Sequence, residues 1–119
     1  MRITPHAFER LVEDAFESLP AWVKGAMENI VIVIEDRNPE EPDLLGLYEG
    51  SSLTERGEYG LAGGGLLALP DMVTIYRDAI LEVCSDADEV LDEVRTTVVH
   101  EIAHHFGIDD EQLDELGWA

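Results

Sequence analysis

The spacing of hydrophobic positions changes along the chain, and each spacing predicts a different element. After Thr4-Pro5, apolar residues recur at helical intervals, which predicts an amphipathic helix with proline at its first position. A second short helix is expected over Ala21–Glu28, after the break at Pro20. The β-branched run Ile30–Ile34 predicts a strand that is covered on both faces.

Two further strands are predicted between turn signals. They cover Leu45–Glu49 and Met72–Arg77, the latter opened by Pro70. The glycines of segment 57–65, which lies between these two strands, predict a mobile loop.

The longest periodic stretch lies near the end of the sequence. Apolar residues recur every four positions over Val90–Ile102, which predicts a long helix from about Asp86 to Phe106, ended by Gly107. A last short helix is expected to hold Leu113 and Leu116. The order of helix, strands and long helix predicts an α+β fold, and 119 residues fit a single domain over 1–119.

The amino-acid composition limits which classes of molecule the protein is expected to bind. Seven Lys plus Arg stand against 27 Asp plus Glu, a formal net charge of −20. Nucleic acids and anionic membranes are therefore not expected as partners, because both are bound through clustered basic residues. The single Cys84 cannot form an internal disulfide, and the charged start of the chain does not resemble a signal peptide. We expect a cytoplasmic protein.

The chemistry is concentrated in the long predicted helix, where His100, Glu101 and His104 form the pattern H-E-x-x-H. Residues four apart lie about one turn, roughly 6 Å, along one helix face, so both imidazoles could reach one zinc ion. Glu101 could then act as the base that takes a proton from a zinc-bound water attacking a peptide carbonyl. Composition alone would produce about 0.02 such matches by chance in this chain.

A third ligand is suggested by the continuation of the motif. Gly107 can end the helix and turn the chain, so that Asp110 returns to the metal. Asp109 could take this place if the turn had another shape. A thermolysin-like glutamate from a later helix is disfavoured, because only nine residues follow Asp110. A metzincin would have a histidine at position 110 and a methionine downstream of the motif, and this chain has neither.

With this extended motif, the chain resembles the small bacterial zincin-like metallopeptidases that carry H-E-x-x-H-x-x-G-x-x-D. The segments VIVIED, LLGLYEG, VTIYRDAI and VVHEIAHHFGIDDEQL are all similar to that family. The resemblance implies a minimal zincin-like domain, with a small mixed sheet of three to four strands packed on the H-E-x-x-H helix and additional short helices. It also implies one zinc ion per chain bound by His100, His104 and Asp110, with Glu101 as the catalytic base.

The sequence therefore predicts a zinc-dependent hydrolase that cleaves a peptide or a flexible protein segment. Zincins bind such substrates along a sheet edge, which either Leu45–Glu49 or Met72–Arg77 could provide. The alternative is a non-catalytic zinc-binding or protein-interaction module on the same fold. Glu101 disfavours that alternative, because a structural zinc site needs ligands but no base. Four side chains could supply an oxyanion donor: Tyr48, Tyr59, Tyr76 and Arg77.

Overall fold

The computed structural model describes residues 1–27, 29–50 and 70–118. In these ranges the chain forms helices and strands in the order α1 Pro5–Glu17, α2 Ala21–Ala26, β1 Ile30–Glu35, β2 Gly46–Glu49, β3 Asp71–Tyr76, α3 Arg77–Val83, α4 Ala87–His105 and α5 Asp110–Glu115. The α+β fold predicted from the sequence is confirmed. The segment 57–65, predicted as a mobile loop, lies outside the described residues.

Strand β3 is the centre of the sheet formed by the described strands, whose order is β1-β3-β2. It pairs in parallel with β1, from Ile30 opposite Asp71 onward, and antiparallel with β2, where Gly46 lies opposite Ile75. The sheet is therefore mixed, as expected. Since β3 has a neighbour on each side, the predicted strand Met72–Arg77 does not provide a sheet edge.

The prediction that the Ile30–Ile34 strand is covered on both faces is wrong. Val31 in β1 is 45% exposed, and no residue of β1 is fully buried. Strand β3 has that environment instead, since Val73 and Ile75 on one face are inaccessible to solvent and Thr74 and Tyr76 on the other are 2% and 3% exposed. A β-branched run indicates a strand, but it does not show how many neighbours that strand has.

Helix α3 is absent from the sequence prediction. The chain passes directly from β3 into this helix at Arg77, which the hydrophobic pattern assigned to the strand. The helix buries Ala79, Ile80 and Leu81 against the core. Short apolar runs of this length fit a strand or a buried helix equally well, so periodicity alone could not separate the two.

Helix α4 is the long helix predicted from the sequence, and it organises the core. Asp86 caps its first turn, because Oδ1 of Asp86 accepts a hydrogen bond of 2.8 Å from the amide of Glu89. One face of α4 packs against α1, whose Phe8 is fully buried, and against β2. No helix in the described parts of the chain is long and apolar enough to cross a membrane.

Cys84 lies between α3 and α4, and its free thiol is buried. Burial raises the pKa of the Cys84 thiol, and the nearby carboxylates of Glu93 and Glu89 raise it further. Such a thiol is held in its neutral form, which is typical of a small apolar side chain in the core rather than of a metal ligand.

Candidate metal centre

The last turns of α4 bring three polar side chains to one side of the helix. His100 and Glu101 are half-buried, while His104 is exposed. The ring centroids of His100 and His104 are 5.8 Å apart, with an angle of 68° between the ring planes. This is the separation expected for side chains one helical turn apart, so the spacing of the motif is realised by α4.

Gly107 ends α4 with a tight turn. Its φ is +81°, a left-handed conformation that L side chains rarely adopt. The amide of Ile108 donates to the carbonyl of Ala103 at 2.8 Å, and the amide of Gly107 donates to the carbonyl of His104 at 3.1 Å. This pair of hydrogen bonds is a Schellman motif, and it reverses the chain so that α5 begins beside the end of α4.

Asp109 and Asp110 have different roles at the start of α5. Asp109 is the N-cap, since its Oδ1 accepts from the amide of Gln112 at 2.8 Å and its amide donates to Oε1 of Gln112 at 3.0 Å. Asp110 is the next residue, and its Oδ1 lies 3.0 Å from Nε2 of His104. The capping box occupies Asp109, and the same turn directs Asp110 towards the histidines.

The donor atoms of His100, His104 and Asp110 fit a zinc ion. One ligand atom from each side chain lies within 4.8 Å of the others, and no other such group is found in residues 1–27, 29–50 and 70–118. Two imidazole nitrogens and one carboxylate oxygen make a three-residue set that leaves a coordination position open, which is typical of catalytic rather than structural zinc sites.

A groove of about 350 Å³ lies over these residues. His100, Glu101 and His104 lie on its floor, together with Glu93 and Thr97 from earlier turns of α4. The opposite wall is the segment Asp43–Gly46, which leads into β2. The groove therefore lies between the polar face of α4 and the segment that leads into β2.

The pKa of Glu101 is raised, chiefly because burial disfavours its charged form. The neighbouring rings of His104 and His100 act in the opposite direction and lower it. Since the first effect prevails, the Glu101 carboxylate holds a proton more readily than an exposed glutamate. That is the direction expected for a carboxylate that accepts and returns a proton.

The residues considered as oxyanion donors do not line this groove in the described part of the chain. Tyr48 donates to Oδ2 of Asp71 at 2.5 Å and stacks on His105, with ring centroids 3.9 Å apart. Tyr76 is buried, and its hydroxyl accepts from Asn38. Arg77 pairs with Asp36, away from the groove. Tyr59 lies outside the described residues.

One partner of the site has no signal in the sequence. The main-chain carbonyl oxygen of Trp118 lies 2.8 Å from Nε2 of His100. Every residue has a carbonyl group, so no pattern of residue types could have marked this one. Only the turn that follows α5 places it beside α4.

Comparison with known proteins places the chain in a family. The model of the zincin-like metallopeptidase family matches residues 27–118, and the chain belongs to that family. The family resemblance drawn from the motif is therefore confirmed, although the match begins after α1 and α2.

A solved structure shows a similar fold. It is that of a conserved hypothetical protein from Thermus thermophilus, which is 23% identical to this chain with a TM-score of 0.54. The similarity covers 95% of this chain and 99% of the other. A comparison with curated proteins gives no significant match.

Proposed function

We propose that the protein is a zinc-dependent peptidase that cleaves extended peptides or flexible protein segments. The observation that supports this most directly is the position of Glu101. It lies between two histidines on the floor of one groove, with Asp110 beside the second histidine. A site that only bound zinc would not need a carboxylate next to its ligands.

The metal would be bound by His100, His104 and Asp110. A zinc ion held there would supply a Lewis acid, which polarises a carbonyl group and acidifies water at neutral pH. The chain itself fixes the three donors. His100 and His104 are placed by α4, and Asp110 is placed by the Gly107 turn and the Asp109 capping box.

Glu101 would transfer the proton in the reaction. Its carboxylate takes a proton from the attacking water and then gives it to the amine of the departing peptide, so that Glu101 returns to its ionised form. Burial, which raises the pKa of Glu101, stabilises the protonated intermediate state of this side chain.

The substrate would lie along the wall of the groove that leads into β2. In the sheet formed by residues 30–35, 46–49 and 71–76, β2 is an outer strand, and its first residue, Gly46, lines the groove. Main-chain hydrogen bonds to such a strand give affinity that tolerates many side chains. Leu44 and Leu45 add apolar surface to this wall.

The test is a comparison of two carboxylate variants in the same groove. Glu101→Gln should reduce hydrolysis of a broad peptide library by about 10²- to 10⁴-fold, because it removes the base. The matched control is Glu93→Gln, since Glu93 lies on the same floor about 12 Å along the helix from Glu101. Both variants should bind zinc as the wild type does.

The outcomes separate the proposal from its alternative. If the zinc-loaded wild type cleaves nothing in the library, a non-catalytic zinc-binding module is favoured. If Glu101→Gln and the wild type cleave equally well, Glu101 has no part in the reaction and the proposal is wrong. Loss of zinc from Glu101→Gln would instead give this residue a structural role.

A further inference from the structure

His100 makes a hydrogen bond that has no role in the proposed mechanism. Its Nε2 is 2.8 Å from the carbonyl oxygen of Trp118. A carbonyl oxygen can only accept a hydrogen bond, so Nε2 must carry the hydrogen and donate it. In this arrangement Nε2 of His100 has no lone pair to offer to a metal ion.

Either ring nitrogen of His100 is a possible ligand atom, and a metal ion shared with His104 is expected at Nε2. His100 and His104 project from α4 about one turn apart, and two such rings converge through the atoms farthest from the helix axis. In each ring the outer nitrogen is Nε2, and Nε2 of His104 already faces Oδ1 of Asp110 at 3.0 Å. The contact with Trp118 and the binding of metal therefore compete for the same atom.

Two contacts hold the Trp118 carbonyl in place. A second Schellman turn, with φ of +84° at Gly117, lets the amide of Trp118 donate to the carbonyl of Leu113 at 2.8 Å. The indole ring then lies under Arg95 of α4, whose guanidinium carbon is 5.1 Å from the ring centroid. Nε of Arg95 is buried, and the described residues offer it no hydrogen-bond partner, while Nη1 lies 3.8 Å from Oδ1 of Asp92.

The segment Leu116–Trp118 lies at the edge of the core, where Trp118 packs against the buried cluster but is itself only partly buried. Leu116 is 51% exposed, and a cavity of about 380 Å³ lies between this segment and α4, bounded by Thr96, Gly117 and Trp118 among others. Leu113, by contrast, is fully buried and anchors α5. A movement of the segment alone would therefore keep α5, and with it Asp110, in place.

We propose that Leu116–Trp118 is a latch that closes the metal centre in the metal-free protein. Arg95 and Trp118 act as positioning residues that keep the Trp118 carbonyl on His100, and zinc binding requires that this contact opens. The inference rests on the metal site of the proposed function, but it concerns the binding of metal rather than the cleavage of peptides.

The first test measures zinc affinity by competition with a chromogenic chelator. Trp118→Ala should bind zinc more tightly by about 3- to 30-fold, the change that corresponds to one hydrogen bond and one cation–π contact of ordinary strength. Arg95→Met should act in the same direction, because it keeps the apolar stem and removes only the cation. Trp22→Ala is the control, since Trp22 lies on α2 and is 36% exposed.

The second test follows the ring of His100 directly. Long-range ¹H–¹⁵N spectra at pH 8 should show hydrogen on Nε2 of His100 in the metal-free wild type. In the zinc-loaded protein, Nε2 should be the coordinated nitrogen, and the indole signals of Trp118 should shift as the latch opens. These spectra are recorded on the wild type, so they test the latch even if Trp118→Ala loosens α5.

Three results would overturn the latch. Weaker zinc binding in both variants would mean that the carbonyl supports His100 as a ligand, and hydrogen remaining on Nε2 with zinc bound would mean the same. Unchanged zinc affinity in both variants would mean that the contact of the Trp118 carbonyl with His100 does not affect metal binding. Tighter zinc binding in a protein that cleaves no peptide would support the latch and contradict only the peptidase proposal.

Discussion

The two faces of α4 differ in polarity and in burial. The face towards α1 and the sheet is apolar and close-packed, with Val90, Val94 and Ile102 fully buried. The face towards the groove is polar, and among its side chains His104 is exposed and Glu101 is half-buried. The first face fixes where the helix lies, and the second presents His100, Glu101 and His104 to the groove.

This separation has an energetic reason. Apolar side chains stabilise the fold when water is excluded from them, whereas an imidazole or carboxylate loses hydration when it is buried without a partner. A ligand side chain must also lie at the surface so that metal and substrate can reach it. Changes on the buried face should therefore alter the free energy of unfolding, and changes on the groove face should alter zinc binding and catalysis.

The largest effect should come from the buried face. Phe8→Ala removes a fully buried aromatic ring from the contact of α1 with α4. We expect it to lower the free energy of unfolding by about 3–5 kcal/mol, because the loss of buried area is combined with a cavity. Chemical denaturation of the metal-free protein measures this difference. At temperatures where the variant is folded, its zinc affinity should match that of the wild type.

The control for this variant is Phe106→Ala. Phe106 is the C-cap of α4 and is 56% exposed, so its loss should change the free energy of unfolding by less than about 0.5 kcal/mol. A change of zinc affinity in folded Phe8→Ala would contradict the separation of the two faces, because the donors would then depend on how the core is packed.

Much of the difference between the two faces of α4 could be predicted from the sequence. The four-residue repeat over Val90–Ile102 predicted both α4 and its buried face, because helix geometry converts that spacing into one stripe. The motif placed His100 and His104 on another side of the same helix. The family match over residues 27–118 and the mixed sheet agree with what the motif implied.

What the sequence could not predict depends on neighbours rather than on residue types. The apolar run in α3 fits a strand as well as a helix, and the β-branched run in β1 does not reveal that Val31 is exposed. The motif spacing named Asp110 as the expected third ligand, but it did not show that the Asp109 side chain is held in a capping box with Gln112. The contact of Trp118 with His100 is made by a main-chain atom, which leaves no trace in composition or spacing.

The next largest effect concerns the two neighbouring aspartates, which have similar exposure and different contacts. Asp110→Ala should weaken zinc binding by about 100-fold or more, since removal of a residue that only supports a ligand already costs about 10- to 100-fold. Asp109→Ala should leave zinc affinity nearly unchanged and lower the free energy of unfolding by about 1 kcal/mol, because it removes an N-cap.

The zinc affinity and the free energy of unfolding of the metal-free protein are measured for both variants. Asp110→Ala should change the first quantity, and Asp109→Ala should change the second. A third ligand other than Asp110 is indicated if Asp109→Ala weakens zinc binding and Asp110→Ala does not. If neither variant changes zinc affinity, the His–His–Asp site is wrong, and the peptidase proposal loses its metal centre.

The smallest effect is expected where the two faces meet, at Gly46 in β2. A Cβ atom at this position would lie 2.5 Å from Cγ2 of Thr97 and 3.2 Å from the carbonyl oxygen of Thr74. Gly46→Ala therefore forces β2 or the Thr97 side chain to shift, which should cost about 1–3 kcal/mol as overpacking does. The wall of the groove should move with β2, so peptide cleavage should fall. Zinc affinity should be unchanged, because all three donors lie on α4 and α5.

Thr97→Ser provides the matched rescue, since it removes the Cγ2 methyl group that the new Cβ would meet. In the double variant, part of the lost stability should return, so that the effects of the two substitutions are not additive. Cleavage should recover in parallel if the distance between β2 and α4 sets the width of the groove. Additive losses would show that the obstruction is the Thr74 carbonyl instead. Recovery of stability without recovery of cleavage would show that the wall at Gly46 does not position the substrate, and the binding of peptides along β2 would then have to be abandoned.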